Sequence, residues 1–197
     1  MIVVATTETT RERILRTASG IMSKKGYAAV GINEVLAASA VPKGSFYHYF
    51  ASKDAFGEAM LQDYFDGYLA DVDRMLSAPG RTMAERLMTY WESFSETQET
   101  FECQGRCLVV KLGAEVADLS EPMRLVLRDG TDAITSRLAA AVAAGVEEGS
   151  LTVEDDPAGL ARTLYSMWLG ASVMSKMHRD PRPLADAMAM TKRLLAS

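Results

Sequence analysis

The 197-residue chain is predicted to be all-α. Apolar residues recur at three- and four-residue spacing through every long segment, which is the period of a helix with one buried face. No segment shows the alternation of apolar and polar residues that is typical of a half-buried strand. Glycine and proline clusters separate the helical segments, and 48% hydrophobic residues are enough for a sizeable core.

The first helices are short and closely spaced. The first is predicted over residues 7–25 and stops at Gly26, a residue suited to a left-handed end. The second is predicted over residues 32–39, and a short link leads from it to Pro42. Because proline lacks an amide hydrogen and has a fixed φ, Pro42 suits the first position of a third helix. Two helices joined by so tight a turn are typical of a helix-turn-helix.

The third helix carries small, basic and aromatic residues, a composition suited to a nucleic-acid groove. We expect its exposed face to consist of Lys43, Gly44, Ser45, Tyr47 and His48. Phe46, Tyr49 and Phe50 are expected to turn inward as packing anchors. Ser52 is predicted to cap the next helix, and Lys53 then lies in its first turn, where a cation and free amides form a phosphate clamp. The alternative is an ordinary surface helix bordering a core.

Charge is divided unevenly along the chain. Residues 1–55 hold seven basic and four acidic residues, a net charge of +3, and the remaining residues carry −8 of a total of −5. A local positive field attracts phosphate, whereas an acidic remainder keeps the rest of the surface away from a polyanion. We therefore assign a helix-turn-helix DNA-binding domain to residues 1–55 and a second helical domain to residues 56–197.

The residues around this helix-turn-helix match a specific signature, formed by Gly26-Tyr27, Ile32-Asn33-Glu34-Val35, the stretch from Lys43 to Phe50, and Ser52-Lys53. On these residues the chain resembles the tetracycline-repressor family of transcriptional regulators. The resemblance implies a repressor that binds a double-stranded DNA operator through these helices. Gly31 stands where the family usually has a threonine that caps the second helix and touches phosphate, which weakens that expected contact. Ala40 replaces the usual glycine, so we expect a turn that tolerates a Cβ.

The remaining residues continue the helical pattern. A connecting helix is predicted from Lys53 to about Leu76, where Ser77-Ala78-Pro79-Gly80 breaks it. Further helices are predicted over residues 82–101, 107–117, 120–149, 156–179 and 184–195.

The last two helices are more apolar than a solvated pair requires. One stripe contains Ala161, Leu164, Trp168, Ala171 and Met174, and the other runs from Leu184 to Leu195. A second copy packed against these stripes would bury them and would place two recognition helices in successive major grooves, about 34 Å apart, on a palindromic operator. The family resemblance implies the same homodimer, with a four-helix bundle between subunits. The alternative is that the stripes close the core of a single chain.

An effector pocket is expected in the second domain. Ten of the chain's twelve methionines and many of its aromatic residues lie after residue 55, a composition that fits an adaptable apolar pocket as well as an ordinary core. The residues assigned to the pocket are Trp91, Phe94, Leu108, Tyr165, Trp168 and Leu169.

Cys107 is the candidate sensor. It follows Gly105-Arg106 at the start of a predicted helix, and a helix N-terminus beside a cation lowers the pKa of a thiol. A thiolate at this position would react with electrophiles and oxidants. Cys103 is either a resolving partner for Cys107 or an inert side chain, and two cysteines four positions apart indicate reduced thiols rather than a disulfide framework.

A closer resemblance is carried by two stretches. They are residues 105–121, beginning at Gly105, and the run Trp168-Leu169-Gly170-Ala171-Ser172 leading to Lys176. They are similar to the subgroup of this family that represses N-ethylmaleimide reductase and senses electrophiles or oxidants. The resemblance implies that Cys107 is the sensing thiol. Lys176 shares a helix face with Tyr165 and Leu169, and it either pairs with the Cys107 thiolate or extends outward from the helix end.

The expected function is therefore a cytoplasmic transcriptional repressor that releases its operator when Cys107 is modified. The main alternative is a repressor of the same type that binds a small hydrophobic ligand reversibly, without thiol chemistry. A small thiol enzyme is a further alternative, but no base or orienting group is evident around Cys107. We expect no cofactor and no metal site, since the two histidines lie far from the cysteines. We expect no membrane segment, because no apolar run is long enough to cross a bilayer.

Overall fold

A computed structural model describes residues 8–99, 107–153 and 156–195. Within these ranges all regular secondary structure is helical, as predicted. The helices are α1 (Thr10–Lys25), α2 (Ile32–Ser39), α3 (Lys43–Tyr49), α4 (Lys53–Leu76), α5 (Met83–Glu99), α6 (Leu108–Leu119), α7 (Glu121–Glu147), α8 (Pro157–His178) and α9 (Arg182–Leu195). No helix among the described residues is long and apolar enough to span a bilayer.

Helix ends differ from the predicted ends by a few residues, and local capping explains the starts of the first and third helices. The first helix begins at Thr10 rather than Thr7, because Thr9 and Glu12 form a capping box. The third begins at Lys43, because Pro42 has the extended backbone of an N-cap residue. Ser52 caps α4 as predicted, and its hydroxyl accepts from the amide of Ala55 at 3.0 Å.

Helix α7 is the centre of the larger part of the fold. It packs against α4, α5, α6 and α8, and α9 packs against α8 and α5. The buried core includes the side chains of Phe65, Trp91, Leu112, Ile134 and Trp168. Helix α4 connects this bundle to the N-terminal helices, because α1 packs against α2, α4 and α6. The 24-residue length of α4 spans about 36 Å, so it joins the two ends of the molecule.

Candidate nucleic-acid interface and effector cavity

Three phenylalanine rings anchor α3 to α4. Phe46, Phe50 and Phe56 are buried, and each ring contacts the other two at centroid distances of 5.1–5.2 Å. Tilted and edge-on ring pairs of this kind stabilise beyond the area they bury. The cluster fixes which face of α3 turns outward.

The outward face of α3 carries the residues predicted to contact DNA. Lys43, Gly44 and His48 are exposed, and Ser45 is half-buried. Tyr47 is 57% exposed, an unusual position for a large aromatic side chain. The prediction that Tyr49 turns inward is wrong. Its side chain is 39% exposed, because the Phe46–Phe50–Phe56 cluster occupies the inner face of α3. The face is therefore free to lie in a groove.

The turn between α2 and α3 uses a left-handed alanine. Ala40 has a φ of 54°, and the amide of Val41 donates to the carbonyl of Leu36 at 3.0 Å. The turn therefore accommodates the Cβ of Ala40, as expected, but with a strained backbone, because left-handed geometry is unfavourable for residues that carry a Cβ. At the other end of α2, Gly31 is the N-cap and supplies no side chain to cap the helix.

Lys53 lies at the first position of α4, as predicted, but its side chain is engaged within the protein. Its ammonium donates to the carbonyl of Tyr27 at 3.3 Å and lies 4.7 Å from the centre of the Tyr27 ring. The hydroxyl of Tyr27 donates to the carbonyl of Lys53 at 2.8 Å. Lys53 therefore joins the end of α1 to the start of α4, and its contact with phosphate stays a prediction.

A cavity of about 380 Å³ lies between α1, α4 and α5, at the start of α6. The cavity is lined by polar side chains of α4 and α5 and by the thiol of Cys107. The lining residues include Tyr64, Tyr68, Tyr90, Ser93, Thr97, Cys107 and the acidic residues Asp63 and Asp71. Its volume falls within the range of small-molecule sites.

The tyrosines of the cavity are proton donors rather than bases. Burial raises the pKa of Tyr64 and Tyr90 well above the ordinary value, and also raises the pKa of Tyr68. The hydroxyls of Tyr68 and Tyr90 lie 3.0 Å apart and share a hydrogen bond. These three residues were not among the predicted pocket residues. The spacing of Tyr64 and Tyr68, four residues apart on one helix, indicates a shared face and would have pointed to them.

Cys107 lies in this cavity, but its environment differs from the predicted one. It is the N-cap of α6 and its side chain is 7% exposed. Burial raises the pKa of the thiol, and hydrogen bonds from the backbone of Val110 and the hydroxyl of Tyr64 offset only part of this effect. The predicted lowering of the pKa is therefore wrong for these surroundings, because desolvation exceeds the hydrogen bonding. Arg106 and Cys103 lie outside the described residues.

Lys176 is not paired with Cys107. Its side chain is exposed in the last turn of α8, whereas the thiol of Cys107 is buried beside Tyr64. The alternative interpretation, a lysine that extends outward from the helix end, is the one the structure shows.

The predicted pocket residues divide between the cavity and the core. Phe94 lines the cavity. Trp91, Leu108, Tyr165 and Trp168 are buried and Leu169 is half-buried, all outside the cavity lining. The rings of Trp91 and Trp168 stack at 5.3 Å with an angle of 13° between them, and the indole of Trp168 donates to the hydroxyl of Thr191 at 2.9 Å. These tryptophans therefore pack α5 against α8 instead of leaving space for a ligand.

The predicted dimer stripes also need a correction. Ala161, Leu164, Trp168, Leu184 and Leu195 are almost fully buried within the single chain, where α8 packs against α7 and α9. The large apolar residues exposed on the last two helices are Val173, Met174, Met177 and Met190. The apolar spacing correctly indicates one apolar face on each helix, but most residues of these faces are buried in the core of the single chain. The exposed set, which includes Met174 from the predicted stripe, is what remains for a partner.

Two family matches cover both parts of the chain. Residues 14–60 match the bacterial regulatory proteins of the tetR family. Residues 84–191 match the tetracyclin repressor-like C-terminal domain.

Full-length relatives agree with these matches. The HTH-type transcriptional repressor NemR of Escherichia coli is 38% identical over 95% of this chain and 94% of its own length. The repressor DhaR of a Mycobacterium species is 30% identical over 88% of this chain and 86% of its own length. The crystal structure of reduced E. coli NemR superimposes with a TM-score of 0.90 at 37% identity, covering 95% of this chain and 97% of that one.

The family consists of transcriptional regulators, which excludes the thiol enzyme considered from the sequence. Matches at both ends of the fold, and relatives that cover nearly the whole chain, lead to one assignment. The chain belongs to the tetracycline-repressor family of helix-turn-helix transcriptional repressors.

Proposed function

We propose that this repressor binds a palindromic operator as a homodimer in the cytoplasm and releases it when a small electrophile or oxidant modifies Cys107. The observation that carries the proposal is the position of this thiol in the wall of a 380 Å³ cavity, at the first turn of α6. A molecule that enters the cavity is held beside the sulfur, and such proximity raises the rate of reaction.

Operator binding is assigned to the exposed face of α3. Lys43, Ser45, Tyr47 and His48 provide a cation and three hydrogen-bonding groups, and Gly44 allows close approach of the backbone. The exposed apolar residues Val173, Met174, Met177 and Met190 support pairing of two chains through α8 and α9. A two-fold pair presents both α3 helices to successive major grooves.

Modification of Cys107 alters the cavity wall. With an N-substituted maleimide, the sulfur bonds to one alkene carbon and the thiol proton ends on the other. Because the side chain of Cys107 is only 7% exposed, the added atoms must occupy the cavity between α4, α5 and α6. Displacement of α4 moves Lys53 and the α3 helix anchored to it, which changes the separation of the two recognition helices.

A second candidate is a repressor that binds a small ligand reversibly in the same cavity. The raised pKa of Cys107 keeps the sulfur as a thiol, and the tyrosine hydroxyls offer hydrogen bonds to a ligand without covalent chemistry. Both candidates use one cavity, so they differ only in the role of the sulfur.

Binding to the DNA upstream of the repressor's own coding region separates the two candidates. We expect reduced wild-type protein to bind this DNA and to lose affinity after one equivalent of N-ethylmaleimide. The Cys107→Ser variant should bind equally well and should not respond. A Cys107→Ser variant that still releases DNA with a physiological effector would support reversible binding and contradict thiol sensing.

The assignment of α3 is tested separately with the same DNA. Lys43→Ala and Tyr47→Ala should weaken binding while leaving the fold intact, because both side chains are exposed. Lys43→Ala should also reduce the salt dependence of log K by about one unit. Arg128→Ala, which removes an exposed charge from α7, outside α3 and the proposed pairing helices, is the control and should change neither quantity. Unchanged affinity in both α3 variants would refute the assignment.

A further inference from the structure

Glu115 joins the effector-sensing helix α6 to the turn between α1 and α2. Its carboxylate accepts a hydrogen bond from the amide of Tyr27 at 3.1 Å and another from the amide of Ala28 at 2.7 Å. Each carboxylate oxygen takes one amide, and hydrogen bonds to a charged acceptor are roughly twice as strong as neutral ones. One side chain therefore holds two consecutive peptide groups that lie about 90 positions earlier in the sequence.

The turn is shaped to receive this carboxylate. Gly26 has a φ of 93°, which favours glycine, and a Cβ at this position would lie 3.0 Å from the Glu115 oxygen. Glycine thus both allows the turn and leaves space for the side chain. In the same turn, Tyr27 exchanges two hydrogen bonds with Lys53 at the start of α4. Glu115 consequently holds the junction from which α2, α3 and α4 are positioned.

The opposite end of α6 lies at the cavity. Cys107 is the N-cap of α6, and Glu115 follows eight residues later, about 12 Å along the helix axis. Leu108, Leu112 and Val116 bury one face of the helix over this distance. A short, packed helix moves as a unit, so a shift at its first turn also reaches the carboxylate.

We propose that Glu115 is the positioning residue through which the state of the cavity controls the DNA-binding helices. With an unmodified cavity, Glu115 holds the Tyr27 and Ala28 amides and keeps α3 in its binding orientation. When the first turn of α6 is displaced, the carboxylate leaves these amides and the junction is released. That modification of Cys107 is the controlling signal rests on the proposed function, whereas the positioning role of Glu115 does not.

Two variants of Glu115 test the contact itself. Glu115→Gln keeps the shape but turns an NH₂ group toward one of the two amides, so one hydrogen bond is lost. Glu115→Asp keeps the charge on a shorter side chain and should have a smaller effect. Amide hydrogen exchange, followed by NMR, should become faster at Tyr27 and Ala28 in Glu115→Gln. Asp118→Asn, which alters an exposed carboxylate on the same helix, should leave this exchange unchanged.

Operator binding then tests the coupling. We expect unmodified Glu115→Gln to bind operator about tenfold more weakly than wild type, within the usual range of allosteric coupling. N-ethylmaleimide should cause a much smaller further loss than it causes in wild type or Asp118→Asn, because the junction is already released. A protein in which Glu115 only stabilised the fold would lose thermal stability but would keep the full wild-type ratio of unmodified to modified affinity.

The outcomes separate this inference from the proposed function. Faster exchange, weaker operator binding and a reduced response to the reagent support the role of Glu115. A full response in Glu115→Gln, or unchanged exchange and affinity, overturns it. If wild type itself does not respond to the reagent, thiol sensing fails, and the exchange and affinity of the unmodified variants decide whether Glu115 positions the DNA-binding helices.

Discussion

Substitution of Gly130 by alanine should destabilise the protein although alanine is the better helix former. Gly130 lies in α7, and the side chain nearest to the position that a Cβ would take there is the Phe65 ring of α4. A Cβ built on Gly130 would lie 2.4 Å from three carbons of that ring, far inside the 3.5–4.0 Å of an ordinary carbon contact. Phe65 is itself 1% exposed, so the ring cannot move toward solvent.

Two opposing contributions set the size of the effect. Overpacking of a close-packed core costs about 1–3 kcal/mol, and replacing glycine by alanine within a helix contributes about 1 kcal/mol in the other direction. Because the overlap at Gly130 exceeds 1 Å, we take the upper part of the overpacking range and expect a net loss of about 1–2 kcal/mol. The melting temperature should fall by roughly 2–4 °C for each kcal/mol in a chain of this length.

Gly20→Ala is the matched control, because Gly20 is an exposed residue within α1 and a Cβ there meets no described atom within 4 Å. It should stabilise the protein by about 0.5–1 kcal/mol. Urea unfolding of wild type and both variants at one protein concentration measures the difference, since dimer formation makes stability depend on concentration. A Gly130→Ala variant as stable as Gly20→Ala would refute the packing argument for the α4–α7 contact.

Three further perturbations follow from single contacts. Ala40→Gly should raise the free energy of unfolding by about 0.5 kcal/mol, because relief of the left-handed strain at φ 54° exceeds the added entropy of the unfolded chain; a loss of stability in urea unfolding would contradict this. Thr191→Val should lower the free energy of unfolding by about 1–3 kcal/mol in the same assay, because the buried indole of Trp168 loses its hydrogen-bond acceptor. The control Thr163→Val, on the exposed face of α8, should lower it by less than about 0.5 kcal/mol. The rate of Cys107 alkylation by N-ethylmaleimide should rise about tenfold per pH unit from pH 6 to 8 without levelling off. The pKa of this thiol is raised, so at these pH values only a small fraction is thiolate, and that fraction grows about tenfold with each pH unit. A plateau near neutral pH would show a lowered pKa.

The helices and the exposed face of α3 could be predicted because their causes are local. The period of apolar residues gave the positions of the helices, and Ser52 capped α4 as its side chain suggests. The alternation of Phe46 and Phe50 with Lys43 and Tyr47 separated the buried and exposed faces of α3, with Tyr49 as the exception. Each of these features depends on residues within a few positions of one another.

The cavity around Cys107 was predicted less well because its surroundings come from distant segments. A thiol at a helix start indicates a lowered pKa, but burial among residues of α4 and α5 reverses the direction. Trp91 and Trp168 have the composition of a ligand pocket, yet stacking against each other makes them part of the core. Composition cannot decide whether apolar side chains contact one another or leave space between them.

The sequence by itself therefore determined the all-helical class, the helix-turn-helix and the exposed face of α3, since helical period and capping act over a few residues. Only the tertiary structure decided which stripes close the monomer core, where the cavity lies and in which direction burial shifts the pKa of Cys107. It also brought Glu115 of α6 to the amides of Tyr27 and Ala28. Burial and contacts between distant residues arise from the packing of whole helices, and no local pattern encodes the distance between them.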